Sequence, residues 1–438
     1  MRFLPRTVQT AAVTIAAVLV LPTSVARADN VATPGSLTGY AFDQCTAPTQ
    51  KAMDAWLTSS PYWAAGIYIS GDSRGCVNQP NLSRAWVSTQ LRNGWRLLPI
   101  TLGPQAWCTT RPRYLHQVRI NPSTVSRYAV ARHQGRAEAR KTVRAARALG
   151  ISARSTLWYD LEGFNTAGTR CRESALWFLS SWTAELHRHR SLSGVYSSAA
   201  SGLRMVDDAR VSARPGWYVP DRVWIADWNG RANTSSSYVR SSGWMPHGRV
   251  HQYRGGHDET YGGVTINIDT SWVDLGRGST IAREPAHCGG KASYNYPRYF
   301  LRRVGSRGDL VRTAQCLLAA RGAWQGPVSG VYTSAFGTAV QRYRVGRGLV
   351  AGTSMTHSTW VALLSSGATP VLKRGSASTA VRRVQRALNA ADSSGLAVTG
   401  VFDAPTSSAV RTYQAHHHRA RTGVVAGGTW RLLQAGLT

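Results

Sequence analysis

Thr156-Leu157-Trp158-Tyr159-Asp160-Leu161-Glu162 is the stretch on which the fold of this chain turns. A β-branched, aliphatic and aromatic run leading into an acid reads as a buried strand. Side chains alternate along a strand, so Asp160 and Glu162 fall on the same side. Two carboxylates placed that close resist ionising together, which raises one pKa. An acid that keeps its proton beside one that stays anionic is the arrangement that glycosidic bond cleavage uses. The same spacing also fits a structural role, with Asp160 capping the next loop and Glu162 paired with an arginine.

Similar short strands lie on both sides of it, at Gly39–Phe42, Ala65–Ile69, Arg96–Ile100, Ser193–Ser197, Val223–Ala226, Arg249–Tyr253 and Thr265–Ile268. Helical patterns separate them, at Thr49–Leu57, Leu82–Asn93, Thr124–Leu149 and Glu173–Arg188. Strands interleaved with helices over residues 37–275 predict an α/β fold, a (β/α)8 TIM-type barrel. A doubly wound open sheet would need a glycine-rich phosphate loop after its first strand, and Asp43-Gln44-Cys45 stands there instead. Barrel sites gather at the C-terminal ends of the strands. The polar residues at those ends are Asp43, Asp160 with Glu162, Tyr196, Asp227-Trp228, Gln252-Tyr253 and Asp269. Sixteen Trp and 17 Tyr against 7 Phe supply flat rings with polar edges, which suit sugar faces. Trp228 and Tyr253 are the candidate platforms.

Residues 1–28 read as an export signal: Arg2 and Arg6, an apolar run from Ala11 to Leu21, then Ala26-Arg27-Ala28 as a cleavage site. The run is shorter than the roughly 20 residues a membrane span needs. Exported chains with an even number of cysteines form disulfides, and this one has 6. Strand order places Cys45, Cys76, Cys108 and Cys171 after the first four strands, on one rim. The expected bonds are therefore Cys45–Cys76 and Cys108–Cys171, with Cys288–Cys316 pinning a Gly/Ser/Pro/Tyr linker, 276–298, to the C-terminal region.

Beyond the linker the chain repeats itself at an offset of 70 residues: Gly305/Gly375, Val311/Val381, Gln315/Gln385, Leu318/Leu388, Gly330/Gly400, Tyr343/Tyr413 and Trp360/Trp430. Residues 299–366 and 369–437 are read as two small three-helix modules. The net charge is +31, and only Arg2, Arg6 and Arg27 would leave with the signal. Such a field favours polyanions, and for an exported chain these are the phosphates and carboxylates of a cell envelope. No nucleic-acid motif, Walker loop, His-Glu-x-x-His or Gly-x-Ser-x-Gly elbow occurs, and no metal or cofactor is expected.

Two resemblances sharpen this reading. The repeats, the second above all, resemble the type 1 peptidoglycan-binding domain in Gly400-Val401-Phe402-Asp403, Ala409-Val410, Tyr413-Gln414 and Thr429-Trp430. The first copy departs from it at Thr333 and Arg344. Residues 37–275 resemble a glycoside-hydrolase-like domain of exported bacterial proteins, domain of unknown function 1906. The matching residues are Gly39-x-x-Phe42-Asp43-x-Cys45, Gly66-Ile67-Tyr68-Ile69, Gln105-Ala106, Tyr159-Asp160-x-Glu162, Trp224-x-Ala226-x-Trp228, His251-Gln252-Tyr253 and Ile268-Asp269. The layout is also similar to family 25 lysozymes. That similarity implies Glu162 as general acid and Asp160 as the group that orients or stabilises, with Asp43 and Asp269 completing the acidic mouth. The expectation is a secreted, wall-associated glycosidase acting on a peptidoglycan-type N-acetylhexosamine glycan. The alternatives are a wall-binding protein on a hydrolase-like barrel and an enzyme of another envelope glycan.

Overall fold

The computed structural model describes residues 30–438; the expected export signal lies outside them. Eight strands close into a barrel: β1 Leu37–Asp43, β2 Tyr62–Ser70, β3 Arg96–Thr101, β4 Thr156–Asp160, β5 Leu192–Ser198, β6 Arg222–Ala226, β7 Gly248–Tyr261 and β8 Val264–Leu275. Helices α1 Gln50–Ser59, α2 Arg84–Arg92, α3 Pro112–Leu115, α4 Val125–Ala148, α5 Thr169–Arg188 and α6 Arg204–Val211 fall between the first six strands. Caps fix where several of them start: Thr49 and Ser83 accept from the backbone N–H of Ala52 and Trp86. Each such cap contributes about 0.5–2 kcal/mol.

The barrel is mixed, which corrects the expected (β/α)8 form. The neighbours β1 to β7 pair in parallel, but β8 runs antiparallel to both β7 and β1. Among the described residues no helix stands between β6 and β7 or between β7 and β8. The last two strands form a hairpin turned at Gly262-Gly263, and its tip extends beyond the barrel. Reversal of β8 puts Asp269 directly opposite Asp43, at the same rim as the parallel strand ends.

Alternation sorts the side chains into two cores. Leu98, Ile100, Trp158, Trp224, Val250 and Val273 fill the barrel, and Trp158 meets Trp224 edge-to-face at 5.5 Å. Phe42, Trp56, Trp95, Tyr159, Phe178 and Trp182 belong to the shell between strands and helices. At about 25 cal/mol per Å2 of apolar surface, these rings dominate the burial energy.

The C-terminal region holds α7 Asp309–Ala319, α8 Ser334–Gly346, α9 His357–Ser365, α10 Thr379–Ala391, α11 Ala404–His416 and α12 Gly427–Gln434. The repeat is visible in its hydrogen bonds. Gln315 donates to Val331 O and accepts from Gly330 N; Gln385 does the same with Val401 O and Gly400 N. The Trp360 and Trp430 indoles donate to Phe300 O and Pro370 O. Where the second copy has Gln414 donating to Val424 O, the first uses Arg344, which donates to Val350 O and Ser354 O.

Residues 276–298 pack rather than dangle. Ser279 bonds both Thr38 and Gly375, and Cys288–Cys316 ties the segment to α7. Lys373 then enters the N-terminal end of the barrel, where its ammonium donates to Leu57 O at 2.8 Å and Ser60 O at 3.1 Å. The second module is thus anchored to the face opposite the strand ends.

Candidate functional site

Four acids converge at the open end of the barrel. Asp43 ends β1, Asp160 ends β4, Glu162 lies two residues beyond it, and Asp269 lies on β8. Asp43 fits because Gly66 of β2 has no side chain: a Cβ there would stand 2.5 Å from the Asp43 Cβ. Gln252 of β7 joins two of the acids, its amide 3.1 Å from Asp269 and 3.4 Å from Asp43. The Gln252 oxygen accepts from the Tyr196 hydroxyl and from the Trp228 indole, both at 3.0 Å. Gln105 clamps the Asp160–Glu162 turn, donating to Asp160 O at 2.9 Å and accepting from Glu162 N at 2.8 Å.

The carboxylates differ in surroundings. Asp160 is buried; one oxygen accepts from the Tyr68 hydroxyl at 3.3 Å and the other has no partner. Burial, and next the charge of Glu162, push its pKa well above the ordinary carboxylate range. Burial and then repulsion from Asp269 raise Asp43 likewise, against the Gln252 amide. Asp269 is raised by burial, which a Gly256 N–H and the nearby His257 oppose. Glu162 is reached from outside. It lines a pocket of about 220 Å3 together with Asp43, Asp269, Tyr68 and Tyr114, and Arg111 meets it at 3.1 Å. Cooperating acids at a pocket floor, some holding protons above the usual carboxylate range, can exchange a proton with a bound oxygen.

The rim is stiffened as strand order suggests. Cys45 bonds Cys76 across the loops after β1 and β2, and Cys108, in the loop after β3, bonds Cys171 in the first turn of α5.

A family model for the Rv2525c-like glycoside hydrolase-like domain matches residues 54–273, half of the chain. The chain belongs to that family. A second model, for a peptidoglycan binding domain, matches residues 377–433 and covers α10 to α12. No curated protein matches. Similar solved structures include an uncharacterized B. stearothermophilus protein (20% identity, TM-score 0.34, 54% of this chain and 95% of that one). Another is the Mycobacterium tuberculosis Tat-secreted protein Rv2525c in complex with HEPES (13%, 0.35, 55% and 97%). A third is a family 25 glycosyl hydrolase from Bacillus anthracis (13%, 0.32, 55% and 91%).

Within this Rv2525c-like barrel the residues singled out from sequence do not all meet. Asp43, Asp160, Glu162, Tyr196, Gln252 and Asp269 form one connected cluster. Trp228 joins through its indole N–H and exposes 66% of its surface, as a platform would. Asp227 is taken up locally, its carboxylate accepting from Asn229 at 3.3 Å. Tyr253 follows Gln252 on the opposite side of β7, where Tyr40, Glu259 and Tyr261 are its charged and polar neighbours. It lies outside the pocket lining.

Sequence reasoning missed Tyr68, Gln105, Arg111 and the pocket residues Gln44, Arg74 and Arg113. Tyr68, a polar-tipped residue inside β2, and Gln105, in the loop after β3, sit in matched motifs, which was the usable signal. The arginines lie in loops, among many others of their kind.

Proposed function

We propose that this protein is a secreted, wall-associated glycosidase acting on a peptidoglycan-type N-acetylhexosamine glycan. The observation that carries the reading is the pairing of a pocket-lining Glu162 with a buried Asp160, the two held by Gln105, which donates to Asp160 O and accepts from Glu162 N. Glu162 delivers a proton to the glycosidic oxygen. Asp160 orients the pair and stabilises positive charge, in step with attack by water or by the sugar's own 2-acetamido oxygen. Asp43 and Asp269 face the developing cation. The Trp228 indole supports a sugar ring, and the C-terminal modules hold the wall and raise local substrate concentration.

A second reading has its own support. Arg111 stands 3.1 Å from Glu162, and a barrel kept in that state binds glycan without cutting it. In the hydrolase reading, substrate entry opens this ion pair, which is 52% exposed on the arginine side.

The test compares reducing-end release from purified peptidoglycan by wild type, Glu162→Gln and Arg111→Gln, with wall binding measured in parallel. Release by wild type and Arg111→Gln but not by Glu162→Gln, with binding intact in all three, supports the hydrolase. Binding by all three without release supports the binding protein.

A further inference from the structure

The pocket that holds the acids also holds two arginines without a carboxylate partner. Arg74 and Arg113 line it beside Asp43 and Glu162. Among the described residues, neither has an acidic oxygen at ion-pair distance. The nearest candidate in sequence, Asp72, is engaged instead by Lys141 at 2.9 Å.

Both guanidiniums are aimed by backbone oxygens. Arg74 donates to Gly71 O at 2.8 Å and Tyr68 O at 3.4 Å; Arg113 donates to Ser73 O at 2.7 Å and lies 5.4 Å from the Tyr114 ring centre. A guanidinium has five N–H donors in a rigid fork, so each keeps donors to spare. The loop that presents Arg74 is closed by Cys45–Cys76. The lining also includes Gln44, whose amide oxygen and nitrogen are both shielded from solvent and lack a partner. Positioned cations with free forks, next to an unpartnered amide, leave polar capacity that a ligand would satisfy.

We infer that Arg74 and Arg113 form an oxyanion subsite, which selects glycans bearing a carboxylate or phosphate on the sugar held in this pocket. The inference rests on the reading of the pocket as a glycan site. It adds a specificity device that the acids do not provide, because they repel such a group. Arg74 and Arg113 contact the bound sugar's oxyanion and take no part in bond cleavage.

The experiment uses full-length Glu162→Gln, so that binding is read without turnover. Three oligosaccharides of equal length are titrated by calorimetry: an N-acetylglucosamine oligomer, its counterpart carrying a uronic acid, and its counterpart carrying a 6-phosphate. An anionic oligomer is expected to bind about tenfold more tightly than the neutral one, the scale of one charge-assisted hydrogen bond. Adding Arg113→Gln should remove that preference and leave neutral binding unchanged. Arg74→Lys keeps the charge without the fork and should reduce it. Preference for the uronic acid or for the phosphate names the source of the oxyanion.

Equal affinities overturn the subsite, as does a preference that survives Arg113→Gln, which marks general attraction to a basic protein. Loss of neutral binding and of thermal stability in both arginine variants also overturns it, since the arginines would then only hold the loops. Failure of wild type to cut, with the preference intact, removes the hydrolase reading and leaves the subsite standing.

Discussion

Replacing Lys373 by Met should loosen the second C-terminal module from the barrel. The ammonium caps the end of α1, where a helix leaves carbonyls without N–H partners and a cation is favoured. It donates to Leu57 O at 2.8 Å and Ser60 O at 3.1 Å, and lies 4.7 Å and 4.9 Å from the ring centres of Trp63 and Trp95. Methionine keeps the apolar stem and removes the donor. Two buried acceptors then lose their partner at about 1–3 kcal/mol each. Ending the burial of a charge offsets part of that, so a net weakening of about 2–4 kcal/mol is expected. Calorimetry should show the barrel and module of the wild type melting together, and a separate, lower module transition in Lys373→Met. Burial lowers the pKa of Lys373, so the docked state binds fewer protons than the released one between the lowered value and the ordinary 10.5. Docking therefore strengthens as pH rises through that interval in wild type alone. A variant that melts as one unit at the wild-type temperature would rule out the anchor.

Three further outcomes concern the site. Asp160→Asn should melt higher than wild type at pH 7. The raised pKa makes the folded wild type lose stability as pH rises above the ordinary value of 3.8, and the gap should close as pH falls to it; differential scanning calorimetry across pH checks this. Trp228→Ala should leave the melting temperature nearly unchanged while weakening glycan binding about 2–12-fold in titration, the worth of one aromatic contact. Gly66→Ala should cost about 1–3 kcal/mol in urea unfolding, because its Cβ would drive into Asp43.

The barrel is legible in the sequence from β1 to β6 because one face of each strand meets a dry interior and the other meets helices. That gives compact apolar runs ending in a polar residue. The β7–β8 hairpin is not. From Arg254 to Thr260 the β7 arm is half-exposed or exposed and has no aliphatic or aromatic residue of its own, so it carries no apolar period, whereas Val264, Ile266 and Ile268 of β8 alternate with Thr265, Asn267 and Asp269. Arg249–Tyr253 and Thr265–Ile268 therefore read as separate short strands. Gly262-Gly263 between Tyr261 and Val264 is the available sign of a tight turn. Asp269 lies at the mouth although β8 runs against the expected direction, because its antiparallel register sets it across from Asp43. Tyr253 shows the opposite effect: one residue after Gln252, the alternation turns it away from the mouth. Arg111 reaches Glu162 only through a loop conformation, which sequence spacing does not encode.

If Glu162, backed by Asp160, protonates a sugar linkage while water completes the cut, each cut takes one oxygen atom from the solvent. Wall glycan is incubated with wild type and with Glu162→Gln in 18O-labelled water, and the products are weighed by mass spectrometry. Wild type should give new reducing ends with one heavy oxygen per cut, and Glu162→Gln should give none. Intact, unlabelled glycan after treatment with wild type, or equal labelling by both proteins, would show that Glu162 is not the acid.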